Sequence, residues 1–73
     1  MTKKEQKKLE RLMQFKVVRL KTNDYASLGV PFGSKGTILD VYGNDDYEVE
    51  FCNKIGETLL FQSFNIKDLE LVD

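Results

Sequence analysis

Seventy-three residues make one domain, and a chain of that length buries only about 60 to 65% of the surface its unfolded form exposes, so its core must be economical. Hydrophobic residues are 41% and aromatic residues 11%, a balance that folds, and the absence of histidine beside a single cysteine excludes Ser-His-Asp and Cys-His catalysis and Cys/His zinc sites. The net charge of −1 hides a division: residues 1–21 carry eight Lys or Arg against two Glu, net +6, and residues 22–73 carry three Lys against ten Asp or Glu, net −7.

No apolar run approaches the roughly 20 residues of a membrane span. Residues 1–14 are charged throughout, where a secretory signal needs an apolar stretch. Cys52 has no internal disulfide partner, which suits a reducing compartment. These features lead to the expectation of a cytoplasmic protein that contacts no membrane.

Residues 2–14 are helix formers without Gly or Pro, and Thr2 with Glu5 has the spacing of a capping box. Leu9, Leu12 and Met13 follow the i, i+3, i+4 spacing and leave Lys3, Lys4, Lys7, Lys8 and Arg11 for solvent, an amphipathic basic helix. Beyond Phe15 the period changes to two: Val18 and Leu20 alternate with Arg19 and Lys21, a strand over 16–21. Residues 22–36 are dense in Asn, Asp, Ser, Gly and Pro and read as a long ordered loop. A second strand is expected over 37–42. A third over 46–52 sets Tyr47, Val49 and Phe51 on one face and Glu48, Glu50 and Cys52 on the other, with Gly43-Asn44-Asp45 as the hairpin turn. After a turn at Asn53-Lys54-Ile55-Gly56, residues 57–64 form a fourth strand in which Leu59 and Phe61 alternate with Thr58, Leu60 and Gln62. Residues 65–68 fit a single 3₁₀ turn before a last strand over 69–72.

The run Gly33-Ser34-Lys35-Gly36-Thr37-Ile38, then Val41-Tyr42-Gly43, then Tyr47-Glu48-Val49-Glu50-Phe51, then Gly56-Glu57-Thr58, resembles a bacterial family described as a domain of unknown function (number 4926). The likeness spans about residues 15–72, and similar motifs occur in KOW-type and nitrile-hydratase-like modules. It implies a mainly β fold, a small five-stranded SH3-like barrel over residues 15–73. The N-terminal basic helix, residues 1–14, lies outside the likeness but within one domain overall. The family is often found near secreted-toxin, toxin-antitoxin or mobile-element loci, and it offers no catalytic residues to carry over.

Residue by residue, catalysis, metal and cofactor find no footing. Asp45-Asp46-Tyr47-Glu48 lacks the spacing of a calcium loop. Gly33-Ser34-Lys35-Gly36-Thr37 lacks phosphate-loop spacing, and its glycines are expected at positive-φ positions entering the second strand. Cys52, near Glu48 and Glu50, reads as a structural or incidental thiol. The acidic set Asp45, Asp46, Glu48 and Glu50 would place four carboxylates within about 15 Å. Its ordinary reading is a solvated strand face. Its functional reading is a surface for an electropositive partner, with Tyr42 and Tyr47 as amphipathic anchors wherever they do not turn into the core.

The expectation placed first is a non-enzymatic immunity- or inhibitor-type protein that binds a basic bacterial effector or toxin through this acidic set. The second is a KOW- or Tudor-like module that contacts nucleic acid or a nucleoprotein complex through Lys3, Lys4, Lys7, Lys8 and Arg11. The third is an accessory subunit of a larger enzyme. No small-molecule substrate is expected.

Overall fold

The computed structural model describes residues 2–72; Met1 and residue 73, the two ends of the expected helix and barrel segments, lie outside the described residues. Helix α1 (Lys3–Met13) begins where the Glu5 amide donates to Thr2 Oγ1 at 3.2 Å, one arm of the expected capping box. Glu5 in its first turn and Arg11 in its last oppose the helix dipole favourably. Leu9 and Met13, one turn apart, pack against the protein core. Leu12, expected in the same stripe, is instead 58% exposed, which narrows the buried stripe to a single turn-spaced row.

The helix stops at a left-handed residue. Phe15 takes φ 67, and the Lys16 amide donates back to the Met13 carbonyl at 3.1 Å. The same residue starts the sheet, its amide donating to the Ile38 carbonyl at 2.6 Å while the Ile38 amide donates to Lys16 at 2.9 Å.

Five strands follow: β1 (Val17–Leu20), β2 (Lys35–Val41), β3 (Asp46–Cys52), β4 (Thr58–Asn65) and β5 (Leu69–Leu71). They form one antiparallel sheet in the order β4-β3-β2-β1-β5. Period-two patterning, with a register shift between Ile38 and Asp40 that returns Val41 to the inner side, sends Val18, Leu20, Ile38, Val41, Tyr47, Val49, Phe51, Phe64 and Leu69 to one side, where Val30 from the long loop joins them. Phe64 is the hub of the aromatic packing, edge-on to Phe51 at 5.5 Å and to Tyr25 at 5.4 Å.

The loop between β1 and β2 is tied down by side chains. Asn23 Oδ1 accepts the Phe32 amide at 3.0 Å, and Gln62 Nε2 donates to the Tyr25 hydroxyl at 2.7 Å, so the loop lies against β4 and inserts Val30. A 3₁₀ turn at Ile66–Asp68, with Asn65 Oδ1 accepting the Lys67 amide at 3.1 Å, delivers the chain to β5 beside β1.

Two local expectations change. Gly33 does adopt a positive φ of 89, but Gly36 lies inside β2 with no positive φ. It is required for space instead, because a Cβ there would stand 2.7 Å from Phe51 Cε1 and 2.8 Å from Val49 Cγ1. In β4 the inward residues are Leu60 and Phe64, opposite Phe51 and Tyr47, whereas Phe61 faces out and is 49% exposed. The uninterrupted register from Tyr47 opposite Phe64 to Phe51 opposite Leu60 sets this parity, and a shift between Phe51 and Cys52 leaves Leu59 as the extra residue of a bulge.

Candidate partner-binding face

The alternation of β3 builds the site. With Tyr47, Val49 and Phe51 committed to the core, Asp46, Glu48 and Glu50 must leave the opposite face in one column, about 13 Å from end to end at the rise of an extended strand. The hairpin turn before it is tight: Asn44 and Asp45 both take φ 63, and the Asp46 amide donates to the Gly43 carbonyl at 3.4 Å. Consecutive positive φ values are the mark of a type I′ turn, which Asn and Asp tolerate because their short side chains can bond locally. Asp45 is thereby held exposed at the tip.

Each carboxylate of the column is steadied by a neutral neighbour. Asp46 Oδ1 accepts from Asn65 Nδ2 at 3.0 Å, Glu48 Oε2 accepts from the Tyr42 hydroxyl, and Glu50 Oε2 accepts from Thr58 Oγ1 at 2.7 Å. Among the described residues none of these carboxylates is in a salt bridge, so their charge is held in position yet left uncompensated. Cross-strand pairing widens the face. Asp40 of β2 lies opposite Glu48, and Glu50 is flanked by Thr37 on one side and Phe61 on the other.

The two tyrosines separate. Tyr42 is 42% exposed beside Glu48 and belongs to the face. Its hydroxyl is held above the ordinary tyrosine range, first by its hydrogen bond to Glu48, then by desolvation and the charges of Glu48 and Asp40. Tyr47 is only 4% exposed and is a core residue, so it is no surface anchor; burial, assisted by Asp45, raises its pKa as well. Asp40 and Phe61 are members that the sequence reading did not name. Neither has a local signal: Phe61 is placed by the register that sets Phe64 opposite Tyr47, and Asp40 by its pairing with Glu48.

The basic set lies apart, on α1. Lys3, Lys4, Lys7, Lys8 and Arg11 are all exposed, and the last four line one shallow cleft along the helix. Among the described residues no ion pair joins this helix to the acidic face; Leu9, Met13 and the 3.2 Å bond from Gln14 Nε2 to the Leu39 carbonyl hold it to the sheet. Cys52 is exposed at the end of β3, in a groove it shares with Val30, Lys35, Lys54 and Leu59. Among the described residues no helix is long and apolar enough to cross a membrane.

No curated protein and no solved structure matches this chain. A family model does match, over residues 14–71, which takes in every strand of the sheet and the whole acidic face and leaves out α1. The chain belongs to the family described as a domain of unknown function (DUF4926).

Proposed function

We propose that this is a non-enzymatic binding protein of the immunity or inhibitor type, which docks a basic protein effector on the outer face of β2, β3 and β4. One observation carries the reading: a positioned, unneutralised column of Asp46, Glu48 and Glu50 runs between two exposed aromatic rings, Tyr42 and Phe61. Aromatic anchors surrounded by fixed charge of one sign are what a protein interface uses for affinity and for steering, respectively. The strand order, with a 3₁₀ turn before a last strand that pairs with the first, supports an SH3-like arrangement behind this face, with β4 and β5 left as its edges. An exposed free thiol at Cys52 suits a reducing cytoplasm.

A second reading is supported by the cleft of Lys4, Lys7, Lys8 and Arg11, whose spacing along α1 would match successive phosphates of a nucleic acid. The test runs both together: affinity capture from the source cell, at low and moderate salt, with the wild type, with Asp45→Lys/Glu48→Lys/Glu50→Lys and with Lys4→Glu/Lys7→Glu/Lys8→Glu. The acidic-face reading expects one basic protein at stoichiometric yield, reduced about tenfold or more by the first variant and kept by the second. Nucleic acid that elutes as salt rises, and that only the helix variant loses, would replace it with the second reading.

A further inference from the structure

The sheet has two edges, and they are built differently. The β5 edge is three residues long and carries Glu70, whose Oε1 accepts from Arg19 at 3.3 Å. A short strand with a charge at its centre is a poor template for another strand, which is how soluble proteins commonly protect an edge. The β4 edge is eight residues long, Thr58–Asn65, and its sequence TLLFQSFN has no charged residue and no proline. Every other strand has at least one charge: Arg19 in β1, Lys35 and Asp40 in β2, Asp46, Glu48 and Glu50 in β3, Glu70 in β5.

The outer side of β4 is also unused. The strand pairs with β3 alone, and among the described residues no backbone group of Thr58 to Phe64 bonds to any other segment. The long loop reaches β4 through side chains only, at the Gln62 to Tyr25 bond and where Leu59 lies beside Gly29. Unpaired ladder groups along an uncharged strand, flanked by the exposed Leu59 and Phe61, are the requirements for strand addition.

We propose that a second copy of this chain occupies the edge, β4 against β4 in antiparallel pairing about a two-fold axis near Phe61, giving a continuous ten-stranded sheet. A second β4 is matched to this edge because it too is uncharged and free of proline, so neither strand brings a charge into the new ladder, and charge disfavours the other faces. The segment after residue 21 has net charge −7, so two copies repel wherever their acidic faces approach. Pairing through β4 brings uncharged strands together and keeps the two β3 columns three strand spacings apart, about 14 Å. That exceeds the Debye length of about 8 Å at physiological ionic strength, so the repulsion is largely screened. A two-fold centred on Phe61 sets the two rings side by side on one face and turns Leu60 and Gln62 toward the other. An interface of one strand per copy falls below about 1,200 Å² in total, the size class of weak and transient encounters.

Sedimentation equilibrium from micromolar to millimolar protein, with amide exchange measured at both ends of that range, tests the proposal. The expected result is a monomer to dimer transition, with protection gained with concentration in residues 58–65 and in no other strand. Phe61→Lys places a charge on an exposed position, keeps the circular dichroism of the fold, and should weaken the dimer about tenfold or more. Wild-type protein that stays monomeric to millimolar concentration would overturn the proposal. So would a dimer whose concentration-dependent protection falls on α1, β3 or β5, or one that folded Phe61→Lys leaves unchanged.

Discussion

Helix α1 and the sheet carry opposite charge, yet opposite charge is not what joins them. The sheet rests on ten buried side chains, several of them fully enclosed; the helix rests on two half-buried ones, Leu9 and Met13, and on backbone bonds at the Phe15 junction. Among the described residues the one ion pair, Arg19 with Glu70, ties two strands together and leaves the helix out. Apolar burial thus fixes the architecture, while the charges, kept in solvent on both elements, remain free to act on something outside the molecule.

Breaking the sheet should break everything. In Gly36→Val the new Cβ would meet the Phe51 ring and Val49 within 2.8 Å, and the side chain would need still more room. A loss of about 3 kcal/mol is expected from urea unfolding, with helix and sheet lost in one transition. A helical signal that outlasted the sheet would contradict the dependence of α1 on the core. Breaking the helix should be milder. Leu9→Ser with Met13→Ser is expected to cost about 1 to 2 kcal/mol, and to remove helical circular dichroism while amides of β2 and β3 stay protected.

The junction offers a change of opposite sign. Phe15 is 68% exposed and takes φ 67, so Phe15→Gly gives up little burial and relieves a left-handed conformation that costs an L-residue roughly 1 kcal/mol. A rise of about 4 °C or more in Tm is expected by calorimetry; a fall would mean that the ring holds the helix down.

The smallest effect is alkaline. Tyr47 prefers its neutral form in the folded state, its pKa raised first by burial and then by Asp45. That preference stabilises the fold fully below the ordinary tyrosine value of about 10 and is lost as pH rises through the higher folded value. Tyr47→Phe should therefore move the alkaline unfolding midpoint upward, followed by circular dichroism. An unchanged midpoint would show that Tyr47 ionises freely.

Much of this was legible in the sequence because local chemistry and fold agree. Residues 46–52 alternate without interruption between turn residues, so strand bounds, core face and carboxylate column could all be read directly. The helix, the long loop and the 3₁₀ turn were carried by equally local signals. What was not legible depends on partners distant in sequence. Leu59, Leu60 and Phe61 are three apolar residues in succession, and only their register against β3, Leu60 opposite Phe51 and Phe61 opposite Glu50, decides which of them faces in. Gly36 owes its identity to Phe51 and Val49, fifteen and thirteen residues away. Asp40 joins the acidic face solely because it pairs with Glu48 across a register shift.

The pairing of β1 with β5 also has a meaning in time. Strands β2, β3 and β4 meet through short hairpins, whereas Val18 finds Leu71 only after most of the chain has been gathered in. Loop closure of that length costs entropy before any contact repays it, so assembly proceeds from the centre of the sheet outward and β5 docks late. Transition-state φ-values should accordingly be higher at Val49 than at Leu69, and the reverse order would mean that the ends of the sheet meet first.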